Sequence, residues 1–142
     1  MKELRKSNNL LRVGRPGLAD NDSVKERLRA GELVVGVSTP LDSTRSQLEA
    51  ILSNTYGFLT IDTQHSPFNE ENLVAFCSTA QDLGMPVQFR IKNTRHTYLI
   101  ENIQDSGPKA IEVPLVEDEG VVDEVLDAFY YPQVGHPSCW IS

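Results

Sequence analysis

Apolar and polar positions change period along this chain, and the change repeats four times. Leu33–Val37 is a continuous apolar run of strand length. Ser43 caps a helical pattern through Leu48, Ile51 and Leu52, which stops between Asn54 and Gly57. Phe58–Asp62 is a second apolar run. Asn69–Leu83 is helical, with Leu73, Val74, Phe76, Cys77 and Ala80 on one stripe, and Gly84 and Pro86 end it. Val87–Ile91 predicts a third strand. Thr94 caps a helix through Ser106 that turns Leu99, Ile100 and Ile103 inward, and Gly107-Pro108 stops it. Ala110–Pro114 predicts a fourth strand. Glu117–Tyr130 is amphipathic, with Val121, Val122, Val125, Leu126 and Phe129 as its buried side. Ahead of the first unit, Ser23 caps a short helix over Val24–Ala30 that ends at Gly31.

The expected strands start at 33, 58, 87 and 110, a spacing that fits one strand, one helix and two short loops. Apolar runs without polar alternation point to parallel strands covered by helices. An open doubly wound sheet and a closed barrel both satisfy the pattern. No glycine-rich phosphate fingerprint follows any strand, which lowers the dinucleotide-binding form of the open sheet. A (β/α)₈ barrel takes about 250 residues. At 142 residues the chain predicts an α/β fold that is a partial TIM barrel, about the first four β/α units preceded by a short N-terminal helix.

Charge separates the chain into parts. The net charge is −7, yet residues 1–21 carry +3. Residues 1–22 are therefore expected to be a basic flexible arm, and 23–135 the barrel half. An acidic body argues against nucleic acid as the main partner. No apolar run approaches the roughly 20 residues of a membrane span, and no apolar signal segment opens the chain. Cys77 and Cys139 lack metal-type spacing. A reduced cytoplasmic setting is expected.

In parallel α/β folds the chemistry lies at the C-terminal ends of the strands. The second strand runs into Asp62-Thr63-Gln64-His65-Ser66-Pro67, and the third ends in Gln88-Phe89-Arg90. Each polar group has an ordinary reading. His65 can be a solvated loop residue, and Asp62 can cap the following turn through its own backbone. Arg90 is harder to dismiss, because a guanidinium at the end of an apolar strand needs an anion or carbonyls. The functional reading is that Asp62 bonds one imidazole nitrogen of His65 and leaves the other as a general base or acid. Arg90 then binds a carboxylate or a developing enolate. An electron sink is missing. Lys92 and Lys109 lie off the rim or at a strand start, and no acidic pair with ligand geometry ends the four strands. Glu112 sits mid-strand in this reading and need not face the rim, so a metal site of Asp62, His65 and Glu112 is a minor alternative.

On these residues the chain resembles the HpcH/HpaI aldolases, metal-dependent pyruvate-type enzymes related to citrate lyase β subunits. The resemblance runs from about Val24 to Gly135. It opens at Arg27-Leu28-Arg29-Ala30-Gly31-Glu32 and Gly36-Val37. It continues through the Ile61–Pro67 loop, Arg90, Asp105-Ser106-Gly107, Val113-Pro114-Leu115-Val116 and Tyr130-Tyr131-Pro132. It implies a lyase-type reaction, reversible aldol cleavage of a 4-hydroxy-2-oxo acid through a pyruvate enolate. His65, oriented by Asp62, would move the hydroxyl proton, and Arg90 would hold the oxo acid. The resemblance also implies Mg²⁺ or Mn²⁺, small 2-oxo acid and aldehyde substrates, and a homo-oligomer in the full-length form.

The chain departs from the family pattern. Gln64 stands where members usually carry Glu. The family's metal-binding Glu and Asp lie on later strands, so no metal ligand is assigned in this chain. From residue 136 the sequence leaves the pattern, and 136–142 reads as an aberrant or truncated tail. The expectation is a truncated aldolase, inactive alone. The alternative is a non-catalytic interaction subunit derived from the aldolase fold.

Overall fold

The structure, a computed structural model, describes residues 24–130. The basic arm expected over 1–22, the cap expected at Ser23 and the tail expected at 136–142 lie outside the described residues.

Helices and strands alternate in the expected order. Helix α1 spans Val24–Arg29, and Gly31 at φ +76° takes the left-handed turn that follows it. Strand β1 is Gly36–Ser38, shorter than the expected Leu33–Val37. Leu33 and Val35 are exposed instead, although Val35 still accepts the Gly57 amide at 2.8 Å. Helix α2, Arg45–Leu52, is capped by Thr44 rather than by Ser43. Thr44 and Gln47 form a reciprocal capping box, while the Ser43 hydroxyl donates to Pro40 in the preceding loop. Strand β2 is Phe58–Asp62, followed by α3, Glu70–Asp82, with Asn69 as its cap. Strand β3 is Val87–Arg90.

The single helix expected over 94–106 is divided. A 3₁₀ segment, Thr94–Leu99, is capped by Asn93 and bends at His96, and α4, Ile100–Asp105, follows. Strand β4 is Ala110–Glu112 and α5 is Glu119–Phe129. No helix among the described residues is long and apolar enough to cross a membrane.

The strands form one parallel sheet in the order β1-β2-β3-β4. Parallel crossovers are right-handed, so an order that never reverses puts every helix on the same face. The doubly wound alternative needs a reversal point and is excluded. The core agrees. Leu59, Ile61, Val87 and Phe89 pack against Leu48 of α2, Leu73, Phe76, Cys77 and Ala80 of α3, and Ile103 of α4. The fold is four β/α units of a (β/α)₈ barrel.

One expectation fails here. The strands were expected to be buried on both faces, but β2 and β3 alternate between buried and half-buried residues. Their second face carries Thr60, Asp62, Gln88 and Arg90, the face that lines the interior of a barrel. The apolar look of the runs comes from Phe58 and Ile61 flanking short polar positions.

Burial is nearly complete behind β3. Phe89 is fully buried and meets Phe68 edge to face, with ring centroids 5.2 Å apart. Helix α5 is the opposite case. It rests on the 3₁₀ segment and α4 and contains no buried residue, and Val122 and Leu126 are exposed. Val74, expected on the buried stripe of α3, is also exposed.

Candidate active site

The parallel register sets Asp62, Arg90 and Glu112 side by side, as Cα partners across β2, β3 and β4. Adjacent strands lie about 4.8 Å apart, and residues in register point to the same face. Three charged side chains therefore meet at the C-terminal end of the inner face. Arg90 is the middle one. Its Nη1 lies 3.4 Å from Asp62 Oδ2, and its Nε lies 3.3 Å from Glu112 Oε1. The second contact is an ion pair without hydrogen-bond alignment, so Nε is buried and has no hydrogen-bond partner. Gln88, two residues earlier on the same face, donates from Nε2 to Glu112 Oε2 at 2.7 Å.

The loop after β2 is fastened to β3. Thr63 is buried, and both its amide and its hydroxyl donate to the Arg90 carbonyl, at 3.2 and 2.6 Å. Asp62 Oδ1 accepts the Gln64 amide at 2.9 Å, a turn closed by the side chain. Asp62 thus serves both the turn and Arg90. It makes no hydrogen bond to His65, which is exposed on the loop and makes no hydrogen bond or ion pair among the described residues. The structure brings together Asp62 and Arg90, and leaves His65 beside them unattached.

Two members of the site were not legible as such. Glu112 is not mid-strand. Pro114 offers no amide to the ladder and Leu115 adopts φ 53°, so β4 stops at Glu112 and that residue stands on the rim. Gln88 was only the start of a strand ending. The signal for both was available in the pairing of a polar residue two before Arg90 with an acid in an otherwise apolar fourth strand.

A cleft of about 690 Å³ opens beside this cluster at the ends of β1 and β2. Its walls include Thr39, Asp42, Asp62, Ser66 and Asn72, while Arg90 and Glu112 do not line it. The charged cluster and the cleft share Asp62.

Comparison with known proteins follows the same lines. The 2-keto-3-deoxy-L-rhamnonate aldolase of Escherichia coli O17:K52:H18 (strain UMN026 / ExPEC) is 30% identical over 113 residues, which are 78% of this chain and 41% of that protein. The protein of the same name from Shigella sonnei (strain Ss046) matches with the same identity and coverage. Citrate synthase SbnG superposes with a TM-score of 0.69 at 30% identity, over 82% of this chain and 47% of that one. An HpcH/HpaI aldolase from Desulfitobacterium hafniense DCB-2 superposes with a TM-score of 0.69 at 21% identity, over 82% and 44%, which shows the shared fold. No protein-family model matches the chain. The chain spans less than half the length of each of these proteins. Sequence and fold together place it with the HpcH/HpaI aldolases, over part of their barrel.

Proposed function

We propose that the rim of this sheet is the oxo-acid-holding part of a pyruvate-type aldolase site. The observation that carries the reading is the Arg90 guanidinium on the inner face, at the C-terminal end of β3 and in register with Asp62. Relatives named for a 2-keto-3-deoxy acid support the substrate class. In the cleavage direction His65 takes the proton of the C4 hydroxyl. The C3–C4 bond then breaks, the aldehyde leaves, and the bonding pair becomes the pyruvate enolate, which gains a proton at C3. Arg90 holds the carboxylate and faces the enolate charge. Asp62 positions Arg90 rather than His65.

The divalent ion implied by the family resemblance does not fit this rim alone. No group of three or more His, Cys, Asp or Glu side chains among the described residues is arranged to hold one. Asp62 and Glu112 are both engaged by Arg90. One guanidinium is a modest sink for enolate charge, so the described residues by themselves form an incomplete site, and we expect no turnover from them. Pyruvate release from a 4-hydroxy-2-oxo acid by the purified 142-residue chain with Mn²⁺, abolished by His65→Ala, would overturn that incompleteness. The anchoring role has its own test in pyruvate binding followed by NMR. Arg90→Gln should weaken it about tenfold, near 1.4 kcal/mol, and unchanged binding would refute Arg90 as the anchor.

A second reading, a non-catalytic interaction subunit, draws on the exposed Leu115 and Val116 after β4, which is an edge strand among the described residues, and on the exposed Val122 and Leu126 of α5. Light scattering that shows a monomer at every concentration would count against it.

A further inference from the structure

Arg90 lies between two carboxylates that are held in different ways. Asp62 is fixed, because its Oδ1 closes the turn to Gln64 and only Oδ2 reaches the guanidinium. Glu112 is held by one side-chain bond, from Gln88, and is the more open of the two, with 42% of its side chain exposed against 31% for Asp62. It addresses the Nε edge of the guanidinium, and does so poorly. The 3.3 Å contact lacks hydrogen-bond alignment and leaves the buried Nε without a hydrogen-bond partner.

We propose that Glu112 is an internal competitor for the anion site of Arg90, a tethered carboxylate occupying the edge that an oxo-acid carboxylate would take. The proposal rests on the reading of Arg90 as the oxo-acid anchor. A free carboxylate reaching the Nε–Nη edge can form two parallel charge-assisted hydrogen bonds, which Glu112 does not form from its position on β4. The rim also carries two negative groups against one positive, so an incoming anion meets net negative charge until Glu112 moves aside. Displacing Glu112 is cheap, since a partly exposed ion pair contributes little. Displacing Asp62 would undo the turn as well. Glu112 therefore sets how strongly, and for which anions, Arg90 is available.

The test is a pyruvate titration of the full chain, followed by NMR, on the native sequence, Glu112→Gln, Arg90→Gln, and the double variant Glu112→Gln with Arg90→Gln. Glutamine keeps the length and an oxygen that can accept from Gln88, while the competing charge is removed. Glu112→Gln should bind pyruvate about tenfold more tightly, and the double variant should lose the gain. Equal, Arg90-dependent binding by the native chain and Glu112→Gln overturns the competitor role and leaves the anchor standing. Binding that ignores Arg90 in every variant overturns the anchor itself. If Glu112→Gln does not fold, Glu112→Asp draws the carboxylate back by one methylene. It should also strengthen pyruvate binding, and unchanged affinity overturns the proposal.

Discussion

Asp62 and Arg90 are partners across the β2–β3 register, with Oδ2 of the first 3.4 Å from Nη1 of the second, while Asp62 Oδ1 takes the Gln64 amide at 2.9 Å. One carboxylate thus links a strand end, a loop and the neighbouring strand. The two roles can be separated by substitution. Asp62→Asn keeps an oxygen for the turn and removes the charge facing Arg90. Asp62→Ala removes both. The ion pair is partly exposed, so Asp62→Asn should cost no more than about 1 kcal/mol. Asp62→Ala should cost about 1 kcal/mol beyond that, for the amide left without its acceptor. Urea midpoints of the two variants check the ordering. Equal midpoints would mean that the turn bond contributes nothing.

Phe89 adjoins Arg90 on β3 and points the other way, into the helices. It is fully buried and packs edge to face on Phe68 of the loop after β2. Phe89→Ala should cost about 3–5 kcal/mol through lost burial and the cavity left behind. Phe89→Leu should cost much less, since it keeps most of the volume. Phe68 lines the cleft as well as touching Phe89, so the cavity variant should also loosen that wall. Thermal unfolding of the pair measures the first effect. Amide exchange over residues 62–69 measures the second.

Legibility followed the number of neighbours each element has. Strands β2 and β3 are paired on both sides, and their expected extents were right to within a residue. The outer strands β1 and β4 were expected to be longer, because an apolar run says nothing of where the ladder stops. Pro114 marks the end of β4, and an apolar run carried through it conceals the rim position of Glu112. Arg90 and Asp62 were legible because a charge at the end of an apolar strand demands a partner. The partner of Asp62 is less legible. Proximity in sequence suggested His65, whereas parallel register brings Asp62 to Arg90 across 28 positions. The Thr44–Gln47 capping box is legible at its three-residue spacing, whereas Ser43 fits the cap only by residue type.

Cys77 is a buried thiol on α3, and burial pushes it up from 9.0 to about 11, with the Lys109 ammonium opposing the rise. Two consequences follow. At pH 8 its thiolate fraction is roughly 100-fold below that of an ordinary thiol, so iodoacetamide should modify the folded chain slowly and the denatured chain fast. A Cys139→Ser background leaves Cys77 as the one thiol measured. Stability should also fall at high pH. Below pH 9 the thiol is protonated in both states and contributes no slope. Between pH 9 and about 11 the unfolded chain releases the proton first, and up to about 2 kcal/mol of stability is lost. Cys77→Ala should flatten that part of the profile, and a native slope in Cys77→Ala would assign it to another group.

Two glycines separate backbone strain from steric contact. Gly84 ends α3 at φ +70°, and a Cβ there would meet nothing within 4 Å. Gly107 follows α4 at φ +119°, and a Cβ there would lie 2.7 Å from the Cβ of Cys77. Gly84→Ala therefore bears only the left-handed penalty, about 1 kcal/mol, partly offset by the lower entropy of the unfolded chain. Gly107→Ala bears a less accessible φ and must push α4 away from α3, so its cost should exceed 2 kcal/mol on the order of core overpacking. The clash can be relieved from the other side only in part, since Cys77→Gly would remove the Cβ and sulfur but leave the strained φ. Denaturant unfolding of Gly84→Ala, Gly107→Ala, Cys77→Gly and Gly107→Ala with Cys77→Gly tests the partition. If the double variant is no better than the two single changes added together, the Cys77 contact is not what fixes glycine at 107.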